Sequence, residues 1–127
     1  MKSYRDLIAW QKGMDLAVEV YEVTASFPAE ERYGLVSQLR RASVSVPSNI
    51  AEGHGRLTTP EWQHFLAQAR GSNNELQTQL ELATRLKMGK KKAIRATSEA
   101  AEELGRILNG LLKSTKNNPT RKLTTND

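Results

Sequence analysis

The sequence predicts an all-α fold, an antiparallel up-down-up-down four-helix bundle with a proline-kinked second helix. Three observations carry that expectation. Apolar residues recur at helical spacing in four successive segments, prolines and glycines punctuate the chain between them, and no segment alternates with the period of a strand. A chain of 127 residues can close one core by itself. With no cysteine it has neither a disulfide framework nor a zinc–thiolate site.

The first helix is expected from Tyr4 to about Ala25, with Ser3 and Asp6 forming a variant capping box. At 100° per residue it carries two apolar faces. Leu7, Trp10, Met14, Ala17, Val18, Tyr21 and Ala25 make one, and Leu16, Val20, Val23 and Phe27 make the other. Only a strip with Lys12, Asp15, Glu19 and Glu22 is plainly wet. A surface helix of a monomer normally has one stripe. Two stripes suggest burial on two sides, by the bundle core and by something else. The Leu16, Val20, Val23 and Phe27 face is assigned to an oligomer interface, with cover by bundle curvature or the fourth helix within one chain as the competing account.

Phe27-Pro28 ends this helix, because a residue before proline is pushed out of the helical region. Pro28 then serves as an early position of the second helix, followed by Glu30 and Glu31 near its positive end. Leu35, Leu39, Ala42, Ser43, Val46 and Ile50 form its stripe, which keeps phase across Pro47 until Gly53-His54-Gly55 stops it. Thr59-Pro60-Glu61 starts the third helix with a threonine cap. Its stripe runs from Trp62 through Leu66, Ala69, Asn73, Leu76 and Leu80 to Met88, with Gly89 as C-cap. The fourth helix starts within Lys90–Lys92 and shows Ile94, Thr97, Ala101, Leu104, Leu108 and Leu111 to the core. The domain division is thus residues 1–113 as bundle and 114–127 as a disordered basic tail with little to bury.

Charge is unevenly placed. Residues 1–84 carry 8 Lys/Arg against 10 Asp/Glu, whereas residues 85–127 carry 11 against 4. A basic end on a near-neutral body suggests an anionic partner, nucleic acid first; a solvated tail that aids solubility is the plainer reading. Lys90, Lys91, Lys92 and Arg95 form the densest cluster, at a helix N-terminus whose N–H groups would reinforce phosphate binding. Arg85, Lys87 and the tail's Arg121 and Lys122 add to it. A second polar stripe, with Gln38, Arg41, Ser45, Glu52 and Arg56 on the second helix and Arg70 on the third, reads as a solvated face or as a polar contact between subunits. Arg41, Glu52, Arg56 and Arg70 therefore join the interface candidates.

Catalytic chemistry is not in evidence. His54 and His64 lie ten residues apart, the paired Glu-x-x-His motifs of di-iron bundles are absent, and Ser43, Ser45 and Ser48 have no flanking base. Gly53-His54-Gly55-Arg56 could form a small anion nest, but a helix stop explains it more simply. Neither metal nor cofactor is expected, and no enzyme activity. No run of about 20 apolar residues could span a bilayer. The opening residues lack a secretory core, so a cytoplasmic protein is expected.

Four motifs in order resemble a known family: Asp6-Leu7-Ile8-Ala9-Trp10-Gln11-Lys12, Phe27-Pro28-Ala29-Glu30-Glu31-Arg32-Tyr33-Gly34-Leu35, Gln38-Leu39-Arg40-Arg41-Ala42, and Ser45-Val46-Pro47-Ser48-Asn49-Ile50-Ala51-Glu52-Gly53. Phe65-Leu66, Ala69-Arg70-Gly71-Ser72 and Glu75-Leu76 continue the series over roughly residues 4–88. The chain is similar to the bacterial four-helix-bundle proteins named after 23S ribosomal-RNA intervening sequences. The fourth helix matches in character alone, and its lysine run departs from a more acidic connector. The resemblance implies a left-handed up-down bundle that assembles as a homopentamer around a channel. It also implies kinship of fold with the accessory proteins of diversity-generating retroelements, basic pentamers that bind nucleic acid and a reverse transcriptase. A fold does not determine a function. The expected partners are therefore further copies of the chain, nucleic acid, and alternatively another protein that an adaptor surface would bind, but not a membrane.

Overall fold

The computed structural model describes residues 3–116. Among them are four helices, α1 (Ile8–Thr24), α2 (Leu35–His54), α3 (Thr59–Arg85) and α4 (Lys91–Lys116), two 3-10 turns and no strand. Each boundary has a local cause. The hydroxyl of Ser3 accepts from the Arg5 N–H at 3.0 Å and so caps a 3-10 turn, Tyr4–Asp6, rather than the first helix. Leu7 is extended (φ −74°, ψ 126°), and α1 begins only after it, four residues later than the capping pattern suggests. A second 3-10 turn, Ala29–Glu31, occupies the stretch expected to open the second helix. The Glu31 carboxylate accepts from the Leu35 N–H at 3.1 Å, so this acid caps α2 from outside it.

Pro47 lies inside α2, which continues on both sides of it. Its ring rests on α1 where Gly13 leaves room: a Cβ at Gly13 would stand 3.3 Å from Pro47 Cβ. The start of α3 is set by Thr58, one residue before the expected cap. Thr58 Oγ1 accepts from the Glu61 N–H at 3.4 Å, the N-cap bond, and donates to the Glu61 carboxylate at 2.8 Å, while Thr59 is buried. At the other end of α3 the Met88 N–H reaches Ala83 O (3.0 Å) and the Lys87 N–H reaches Thr84 O (3.1 Å). That is a Schellman stop, and the left-handed residue it requires is Lys87 (φ 58°), not Gly89. Gly89 (φ 70°) sits further on, where a Cβ would meet the Phe27 ring at 2.7 Å.

Cross-helix contacts show neighbouring helices running in opposite senses. Lys12 and Glu19 of α1 meet Glu103 and Thr97 of α4. Gln38 and Ser45 of α2 meet Gln79 and Ser72 of α3, and Gln63, Arg70 and Asn73 of α3 meet Thr115, Asn109 and Ala101 of α4. The shared core holds Leu16 and Val20, Leu39, Val46 and Ile50, Leu66, Leu76 and Leu80, and Ile94, Leu104 and Leu108. α4 continues three residues past Lys113 because Leu112 and Thr115 prolong its buried stripe and Gln63 donates to Thr115 Oγ1 at 3.0 Å. The rest of the expected tail, with Arg121 and Lys122, lies outside the described residues.

One expectation is reversed. Leu16, Val20, Val23 and Phe27 are buried within the single chain, and none is left for a second copy. On the other apolar face of α1, the one expected inside, Leu7 and Ala17 are buried but Met14, Val18 and Tyr21 are exposed. Both faces satisfy helical periodicity. Choosing between them needs the position of α4, which packs on α1 as well as on α3.

Candidate nucleic-acid interface and an exposed apolar groove

The end of α1, the start of α2, the end of α3 and the start of α4 meet at one end of the bundle, joined where the Phe27 ring touches Gly89. Arg85, Lys87, Lys90, Lys91, Lys92 and Arg95, singled out in the sequence, lie here. Arg85 is answered by Glu81, one turn back, at 2.6 Å. Lys87, Lys90, Lys91, Lys92 and Arg95 have no ion pair among the described residues. They form a rim, not one patch. Lys91 and Arg95 line a polar cleft of about 310 Å³ between α3 and α4, facing Gln77, Glu81 and Thr84. Lys90 lies in a groove on the α1 side with Glu19 and Glu22. Lys87 and Gly89 line the tip between them. The carbonyl of Lys90 takes the Ile94 N–H at 2.9 Å, so the lysine run straddles the first turn of α4. Its free N–H groups add positive potential to the ammonium groups.

The polar interface candidates are not assembled into one surface. Arg56 pairs with Glu52 at 2.8 Å and with Glu61 at 3.8 Å, and its guanidinium stacks on Phe65 at 5.0 Å. It joins α2 to α3 within one chain. Arg70 points to the other side of α3, donating to Asn109 on α4 at 3.4 Å. Arg41 is exposed on the outer face of α2.

Two features lie outside the sequence expectations. The first is an apolar groove of about 620 Å³ along the seam of α1 and α2, lined by Trp10, Met14, Val18, Tyr21, Val44 and Pro47 among others. Val18 is 57% exposed and Tyr21 46%. A contiguous apolar strip of this kind marks a contact surface more often than a bare monomer face. The second is Arg40, which crosses from α2 to the end of α1. Its Nε donates to Thr24 Oγ1 at 3.0 Å, its Nη2 to Tyr21 O at 3.3 Å, and it stacks 4.5 Å from the Tyr21 ring. Its signal in the sequence is its register, one turn from Val36 and Val44 on the α1-facing side of α2.

Elsewhere, Lys12 and Glu103 meet at 2.8 Å across α1 and α4. Their hydrogen bond and attraction raise the ammonium pKa and lower that of the carboxylate. Among the described residues no three His, Asp or Glu side chains gather as metal ligands, and no helix is long and apolar enough to cross a membrane.

Four helices around one core, carrying a basic end and an apolar seam, define an all-α four-helix-bundle protein. A family model described as 23S rRNA-intervening sequence protein matches residues 5–110, and the chain belongs to that family. The fold is also similar to a solved structure, that of a protein of unknown function from the S23 ribosomal protein family of Bacteroides thetaiotaomicron. The TM-score is 0.75 at 19% identity, covering 84% of this chain and 99% of that one. No curated protein matches.

Proposed function

We propose that this protein is a non-enzymatic, self-associating bundle that holds nucleic-acid backbone against its basic end. The observation that carries the reading is the rim of Lys87, Lys90, Lys91, Lys92 and Arg95, five cations without a carboxylate partner among the described residues. Unanswered ammonium and guanidinium groups around a helix N-terminus suit phosphate oxygens and carry no base readout. Binding is then indifferent to sequence and falls steeply with salt. The test is retardation of mixed-sequence RNA by wild type and by the triple variant Lys90→Glu, Lys91→Glu, Lys92→Glu. The variant should lose retardation and keep its far-UV helicity. Undiminished retardation by a folded triple variant would refute the basic-end reading.

Self-association is supported separately, by the apolar groove between α1 and α2. The family resemblance suggests a pentamer. An adaptor role, in which another protein occupies the groove, is the alternative. Salt distinguishes the two activities, since an apolar contact does not weaken as ionic strength rises.

A further inference from the structure

A pocket of about 460 Å³ opens between the end of α1 and the start of α2, on the other side of Phe27 from the lysine rim. Phe27, Pro28 and Val36 give it apolar walls, and its two charged side chains are both arginines, Arg32 and Arg40. No carboxylate lines it, and neither arginine has an ion pair among the described residues. Like charges beside one apolar-walled cavity repel each other, an arrangement that an anion between them would relieve.

Arg40 is already positioned. The contacts to Thr24 Oγ1 and Tyr21 O use one N–H on Nε and one on Nη2, and stacking on Tyr21 fixes the plane of the guanidinium. Arginine has about five N–H donors, so the greater part of the fork stays available. A planar fork held in place beforehand loses little side-chain entropy when it grips a tetrahedral oxyanion through two N–H groups. Arg32, exposed and set 5.9 Å from the Tyr33 ring, supplies the second and more mobile charge.

We infer that the Arg32–Arg40 pocket is an oxyanion site that takes one phosphate group of a nucleic-acid strand crossing the basic end. The inference rests on the nucleic-acid reading above and extends it. Phe27 forms a wall of the pocket, while its ring touches Gly89 in the turn that bears Lys87 and Lys90. The lysine rim and the pocket thus share this end of the bundle, with Phe27 between them. Free phosphate would satisfy the same donors, and the experiment separates the two sources.

The assay is fluorescence anisotropy with a labelled, mixed-sequence single-stranded RNA over a series of salt concentrations. The proteins are wild type, the lysine triple variant, Arg40→Gln and Arg32→Gln. Arg40→Gln also removes bonds to the end of α1 and would lower stability, so the exposed Arg32→Gln is the deciding variant, with circular dichroism as the check on folding. Arg32→Gln should weaken RNA binding about tenfold at low salt, as one lost charge-assisted contact does. It should also reduce the slope of log affinity against log salt by about 0.7, the single-strand value for one phosphate. Inorganic phosphate should compete better than acetate at equal ionic strength against wild type, and the difference should vanish in Arg32→Gln. If Arg32→Gln binds RNA like wild type while the lysine triple fails, the pocket is overturned and the basic-end reading stands. If neither variant changes binding, both fall. Saturable binding of inorganic phosphate that Arg32→Gln abolishes, with RNA affinity untouched, would assign the pocket to the free ion and overturn the strand.

Discussion

Val18 and Val20 are two residues apart on α1, and aspartate in place of each should give opposite outcomes. Val20 is fully buried, among Leu16, Val23 and the other core residues. Losing its burial costs about 1.5–3 kcal/mol. The carboxylate that replaces it would have no partner in the core, which costs several kcal/mol more. The two together approach the whole stability of an ordinary domain, roughly 5–15 kcal/mol. Val20→Asp should therefore lose its helical spectrum and its cooperative urea transition. Val18 is 57% exposed in the single chain, so Val18→Asp should change the stability of an isolated subunit by no more than about 0.5 kcal/mol. In an assembly built through the apolar groove, the same carboxylate would face apolar surface at every subunit contact. A penalty of several kcal/mol there weakens association by about 100-fold or more, at roughly 1.4 kcal/mol per tenfold. Far-UV circular dichroism reads the first effect and light scattering at micromolar concentration the second. A Val18→Asp variant that keeps the wild-type assembled mass would remove the groove from the interface. A wild-type mass near the 14.2 kDa of one chain would refute self-association altogether.

Three further perturbations probe the frame. Lys87→Gly replaces a left-handed lysine (φ 58°) by the residue that tolerates this conformation, and should raise stability by about 1 kcal/mol while weakening RNA binding through the lost charge. Thermal melts and anisotropy on the same sample check the two signs, and a fall in stability would contradict the Schellman assignment. Gly53→Ala would place a Cβ 2.6 Å from Phe65 Cβ and 2.8 Å from Trp62 Cε3, so it should destabilise by about 1–3 kcal/mol in urea unfolding; a neutral result would show that α2 and α3 can part at no cost. For Glu103, whose pKa lies below its ordinary 4.5, the stabilisation is present above the unfolded value and is lost as pH falls through the lower folded value. The urea midpoints of wild type and Glu103→Gln should accordingly converge on acidification below the carboxylate range, and a gap that stays constant would mean the pair with Lys12 contributes nothing.

The bundle was legible because the signals for it are local and redundant. Four apolar stripes at helical spacing, Pro28 and Pro60, and the Gly53–Gly55 stop are each readable without knowing any neighbour. Errors fell where two local devices compete for one signal. Ser3-x-x-Asp6 and Pro28-x-Glu30-Glu31 are sound N-terminal patterns, but each is used by a 3-10 turn, and Glu31 reaches forward to cap α2 instead of beginning it. At the end of α3, glycine is the statistical choice for a left-handed residue and points to Gly89. The backbone bonds from Lys87 and Met88 place that conformation two residues earlier.

The surface was less legible, because what makes a site there is the relation between helices. Periodicity shows that α1 has two apolar faces and cannot say which one α4 covers; the answer exchanges core and groove. The same holds for Arg40. In the sequence it stands beside Arg41 as one of a basic pair, and only its register with Val36 and Val44 distinguishes the two. In the fold Arg41 is exposed on the outer face, whereas Arg40 turns toward α1 and shares a pocket with Arg32, eight residues away in the chain. Charge counting therefore located the basic end through its lysine run and missed the arginines, whose effect depends on geometry more than number. Lysines on a rim attract a polyanion from a distance and release it easily, as salt-screened point charges do. An arginine fork immobilised against Tyr21 and Thr24 acts only at contact, where orientation decides the strength of each bond. If the basic end binds a strand, the lysines should govern how salt changes the rate of capture, and Arg40 with Arg32 should govern how long the strand stays.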